Sequence, residues 1–110
     1  MREYPKSVMR LIRQYARQAH EEELRRALEP LAQKFDGWRA GSVSSGELTE
    51  IIHKFHSGPS QELFKNYNEP SPLDLAVARA IVVGVLDEKE IDKAVLSHLE
   101  PAMQLYQERK

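Results

Sequence analysis

The chain contains no cysteine. Disulfides, thiolate zinc sites, iron–sulfur clusters and thiol nucleophiles are therefore excluded, and a cytoplasmic location is the expectation. No apolar run approaches the roughly 18 residues needed to cross a bilayer. The N-terminal stretch MREYPKSVMRLIRQYARQ is too charged to hold the apolar core of a secretory signal. Glycine is sparse, five residues in 110, and these form neither a phosphate-cradling loop nor a Gly-x-Ser-x-Gly turn. Period-two alternation is missing over any useful length, so strands are not expected.

What is present suits one helical domain spanning residues 1–110. Apolar residues make up 41% and charged residues 30%, too apolar for disorder. From about Lys6 to Arg39, Val8, Leu11, Ile12, Tyr15, Ala19, Leu24, Ala27, Leu28, Leu31, Phe35 and Trp38 largely keep helical spacing, with Gly41 as a stop. Pro30 lacks an amide donor and is expected to kink or divide this helix. Ser44-x-x-Glu47 forms a capping box ahead of Leu48, Ile51, Ile52 and Phe55, and Gly58-Pro59 reads as a break or kink. Ser71-Pro72-x-Asp74 opens a third helix, whose run LDLAVARAIVVGVL is apolar almost all round and belongs near a centre. A last helix follows one of two caps, Asp87 or Asp92, and runs through Val95, Leu99, Met103 and Tyr106. LEPLAQKF and LEPAMQLY echo each other without aligned surroundings, which does not make a repeat.

The expected architecture is an all-α, compact bundle of four to six helices with a long, Pro-kinked N-terminal helix and a central apolar helix. A continuous first helix of about 34 residues would be about 51 Å long, against a diameter of about 34 Å for a compact chain of this size. Either Pro30 folds it back or its end projects towards a partner, which makes self-association, a homodimer for example, the expectation.

Residues 35 to about 81 contain a Trp-Arg-x-Gly turn, an acid-led helix ending in Ile-His-x-Phe-His-x-Gly, and a following Glu-Leu-x-x-x-Tyr. In this the chain resembles small all-helical bacterial proteins of unassigned function. The resemblance implies no activity and carries no site residue.

Three groups of side chains are candidates for function. Arg2, Lys6, Arg10, Arg13 and Arg17 are spaced 4, 4, 3 and 4, so all lie within about 40° of one line on a helical wheel. Val8, Leu11, Ile12, Tyr15 and Ala19 centre near about 200°, on the opposite side. Residues 1–19 carry +4, whereas 20–36 and 37–110 carry −2 and −3. This stripe is a solvated face or a contact for an acidic protein or for phosphates, although no nucleic-acid-reading motif accompanies it. His53 and His56 lie about 60° apart, and Glu50-x-x-His53 matches the step used in di-iron bundles. No second copy or third ligand accompanies them, so a polar border is the simpler reading and no metal or other cofactor is expected. Arg79 sits alone on the apolar third helix and should form an ion pair or snorkel. The serines fall at caps and turns, and no nucleophile arrangement appears.

The expected function is thus a non-enzymatic cytoplasmic interaction or regulatory module that self-associates, with the stripe as its contact surface. The alternative is an auxiliary nucleic-acid-binding protein using Lys6, Arg10, Arg13 and Arg17. Third comes a metal-dependent helical protein centred on Glu50, His53 and His56.

Overall fold

The computed structural model of the chain describes residues 4–108, and every regular element among them is helical. The elements are α1 (Lys6–Ala40), α2 (Ser45–Phe55), α3 (Gln61–Asn66), α4 (Leu73–Val82) and α5 (Lys93–Glu108). A π-turn over His56–Ser60 joins α2 to α3, and a 3-10 turn covers Glu88–Glu90. Backbone angles stay in the right-handed helical region from Phe55 through Gln61, so α2 and α3 form one rod. Gly58-Pro59 therefore does not break the chain. Pro59 cannot donate, and its ring would press on the carbonyl four residues back; widening the turn relieves both.

The helix ends follow from local chemistry. Gly41 adopts φ 86° at the end of α1, and its turn is closed by Ser42 N–H donating to the Gly37 carbonyl. The capping box forms at α2: Glu47 N–H donates to Ser44 Oγ and Ser44 N–H to Glu47 Oε1. Both expected aspartate caps are used. Asp87 accepts from Lys89 N–H in the 3-10 turn, and Asp92 from Ala94 N–H at the start of α5. At α4 the expected serine cap gives way to Pro72, which precedes the helix rather than opening it and makes no side-chain cap bond. Asp74 takes the free amide of Leu75 instead, at 2.9 Å.

The core is a three-helix bundle. Val8, Ile12, Tyr15, Ala16 and Ala19 of α1 meet Leu73, Val77, Ala78, Ala80 and Ile81 of α4, together with Val95, Leu99, Ala102 and Met103 of α5. The five alanines in this cluster leave little side chain between backbones, which lets the helices approach closely. Two tyrosines tie the bundle's ends. Tyr4 Oη donates to Asp74 Oδ2 at 2.8 Å, and Tyr15 Oη accepts from Asp92 N–H at 3.0 Å. The central position expected for the apolar helix is the one α4 holds.

The expectation of a compact bundle is corrected for the molecule as a whole. α1 runs unbroken for 35 residues with Pro30 inside it, and the molecule measures 53 × 26 × 25 Å. Its radius of gyration is 17.2 Å, where a compact chain of this length has about 13 Å. Pro30 neither divides α1 nor folds it back, so the second half of α1 projects beyond the bundle. Pro101 is likewise carried inside α5.

The projecting half is partnered by α2 and α3, on the other side of α1. With Lys6 at 0°, Leu24, Leu28, Leu31 and Phe35 fall within about 40° of the line of the basic stripe. The buried residues of the first half lie opposite. One continuous helix thus reverses its apolar face between Ala19 and Leu24. The resulting α1–α2 arm is thinly packed, with Leu48 as its buried side chain, while Leu28, Trp38 and Ile52 remain about 40% exposed. Trp38 Nε1 donates to Ser45 Oγ at 3.0 Å, which makes it a rim anchor at the tip of the arm.

Stability should divide along the same line. Leu99→Ala in the bundle is expected to cost about 2–5 kcal/mol, and Leu28→Ala on the arm less than about 1 kcal/mol. Urea unfolding of both variants measures the difference, and equal losses would contradict the packing described.

Candidate functional site

Where α1 changes faces it is flanked on both sides, by α3 and by α4, and Glu23 stands at that junction. Its side chain is 17% exposed. Tyr67, at the end of α3 and buried, donates its hydroxyl to Glu23 Oε2 at 2.5 Å. Arg79 of α4 brings Nη1 to 3.6 Å from Glu23 Oε1. The expected ion pair of Arg79 is thus present, although the guanidinium is half exposed and only the carboxylate end is covered. His20 stacks on Tyr67, ring centres 5.6 Å apart and 18° from parallel, and meets Phe64 edge-on. Burial first, and then the neighbouring Glu23 carboxylate, hold the Tyr67 hydroxyl well above the ordinary tyrosine range. A cleft of about 590 Å3 opens beside this junction, with Glu23, Arg26, Glu62, Asn66 and Arg79 on its walls. Its charges are of both signs, and Arg26 is already engaged by Glu22 at 2.7 Å.

A second concavity lies between α1 and α2. Ala27, Pro30, Leu31, Ile51, Phe55 and Pro59 line a groove of about 420 Å3, flanked by Lys34 and Lys54. Its walls are almost wholly apolar and it is open to solvent. Sequence spacing hinted at this surface, because Leu24, Leu28, Leu31, Phe35 and Trp38 repeat at 4, 3, 4 and 3, the seam of a helix that packs along its length. Merging those residues with Val8–Ala19 as one stripe hid the change of face.

The basic stripe lies on the outside of the bundle. Lys6, Arg10, Arg13 and Arg17 are exposed, and Arg13 reaches Glu69 at 3.7 Å. Arg2 falls outside the described residues. Glu50, His53 and His56 are also exposed, and they do not converge. Glu50 pairs with Lys54 at 3.5 Å, and the His53 backbone carbonyl accepts from Ser57 Oγ. Among the described residues no group of three or more His, Cys, Asp or Glu side chains gathers where a metal could sit. Nor is any described helix long and apolar enough to cross a membrane. Two Glu-to-Arg steps of four residues lie on α1; Glu22–Arg26 forms an ion pair, while Glu21–Arg25 is not among the ion pairs of the described residues.

No protein-family model, curated protein or solved structure matches the chain.

The Tyr67 hydroxyl gives a pH signature. Its folded-state pKa is raised, so the folded chain keeps this proton while the unfolded chain releases it above about pH 10. The contribution to stability is full below that pH and is lost as pH rises further. Tyr67→Phe should cost about 1–3 kcal/mol at neutral pH, and the deficit relative to the parent should shrink above pH 10. Urea titrations of both proteins across that range test this, and a constant deficit would remove Tyr67 as its source.

Proposed function

We propose that the protein is a non-enzymatic cytoplasmic interaction module that self-associates, and that its working surface is the α1–α2 arm. The carrying observation is the apolar groove this arm leaves open, in a molecule with surface to spare. The chain exposes 7790 Å2, whereas a compact monomer of 12.7 kDa exposes about 6,200 Å2. The surplus of about 1,600 Å2, spread over the elongated molecule, exceeds the roughly 800 Å2 per partner that a stable interface removes. An arm with one buried side chain and an open apolar groove gains most from a partner, because apolar burial contributes about 25 cal/mol per Å2. The bundle end, by contrast, already has a closed core. The absence of cysteine fits a reducing compartment.

A second reading, nucleic-acid binding through the stripe, is favoured by one observation. Lys6, Arg10 and Arg17 are exposed and have no ion pair among the described residues, which leaves them free to meet phosphates. Such binding would weaken steeply with salt, by a slope of about 0.9 per phosphate neutralised.

Sedimentation velocity over a wide concentration range separates the two. The expected result is a dimer whose population and melting temperature rise with protein concentration, unchanged by Lys6→Glu, Arg10→Glu and Arg17→Glu together. A monomer at all concentrations that binds DNA or RNA, and loses that binding in the triple variant, would reverse the order.

A further inference from the structure

We infer that two copies dock groove to groove, with each α2 lying antiparallel to its partner across a two-fold axis near Ile51, so that the two arms close into a four-helix bundle. This rests on the self-association reading above and adds the geometry of the pair.

The first ground is shape. The α1–α2 groove is concave along both helices and apolar from Ala27 to Pro59, so the piece that fills it is a helix presenting an apolar edge. The edge of α2 itself, with Ile51 and Phe55, is such a piece. When each α2 lies in the other's groove, both grooves are filled by one set of contacts, as a two-fold interface requires. On the opposite flank of the arm, Leu28 and Ile52 stand exposed. Seating that flank in a neighbour's groove would leave a free groove at every step and would extend rather than close.

The second ground is charge. α2 is acidic towards its N-terminus, at Glu47 and Glu50, and basic towards its end, at Lys54. Antiparallel packing centred near Ile51 brings Lys54 of one copy beside Glu47 of the other, and the symmetry repeats the pair. Parallel packing would set like on like. Glu50 and Lys54 already meet within one helix at 3.5 Å, both about 70% exposed, so Lys54 is free to turn towards a second carboxylate at little cost.

The lack of cysteine makes the arrangement directly readable. Ile51→Cys and, as a control on the outer face of α5, Ser97→Cys are each introduced alone into the full chain, checked for helical content and oxidised. Residues beside a two-fold axis come within the 4.4–6.8 Å between Cα atoms that a disulfide spans; residues at the bundle end do not. The expected result is a cross-linked dimer through position 51 and none through position 97. Lys54→Glu should weaken the dimer about tenfold, and adding Glu47→Lys should recover most of that loss. Glu47→Lys alone, which also opens the capping box, controls for stability. A dimer that cross-links at 97 but not at 51, or ignores the charge reversal, overturns this geometry while leaving self-association in place. A wild-type chain that stays monomeric overturns both.

Discussion

Glu23 is the constraint on which the two halves of this molecule depend. α1 is shared by a three-helix bundle on one face and a helical arm on the other, and Glu23 sits where the faces exchange. A carboxylate that is 17% exposed has lost most of its hydration and needs hydrogen-bond partners to offset that loss. Two arrive from separate elements: Tyr67 from the arm's rod and Arg79 from the bundle. They are not equal. The Arg79 contact is 3.6 Å long and half solvated, the kind of pair that contributes about 0–1 kcal/mol. The Tyr67 bond is 2.5 Å long, comes from a buried hydroxyl, and belongs to the charged class that contributes about 1.5–3 kcal/mol. Orientation of the arm on the bundle therefore rests mainly on Tyr67, with His20 stacked against its ring, and Arg79 adds a screened tether.

The bundle was legible in the sequence because its residues obey one period each. Val8, Ile12, Tyr15 and Ala19 define a single line, the run from Leu73 to Ile81 is apolar almost all round, and Val95, Leu99 and Met103 repeat at helical spacing. Caps were legible for the same local reason: Ser44 with Glu47, Asp87, Asp92 and Gly41 each solve the problem of an unpaired helix end with their own atoms. The arm was not. Between Ala19 and Leu24 the step is five residues, a rotation of about 140° from one apolar line to the next, and an unbroken list of apolar positions conceals it. Pro30, expected to kink or divide α1, does not divide it. Pro30 and Pro101 are exposed, so the carbonyls they leave unpaired can be hydrated and the helix survives.

The candidate site was harder to read because the residues with the most suggestive spacing do not converge. Glu50, His53 and His56 share one side of α2, yet each stands in solvent. Glu23, by contrast, is the last of three consecutive glutamates. Only the tertiary arrangement separates it from Glu21 and Glu22, since its position on the wheel falls between the two apolar lines of α1. Arg79 was visible as the lone base on an apolar helix, but its partner lies 56 positions earlier in the chain, beyond any local pattern.

The line of α1 that carries the arm's apolar seam is also the line of the basic stripe, and this bears on how two copies can meet. The stripe occupies residues 6–17 and the arm's seam residues 24–38, at opposite ends of a molecule 53 Å long. Pairing through the stripes would bring about four like charges per copy together. Antiparallel pairing through the arms sends the two stripes to the far ends of the assembly, many times the Debye length of about 8 Å apart. Their mutual repulsion is then screened, and both stay open to solvent. The same phase change that builds the arm thus keeps the positive charge clear of the proposed interface.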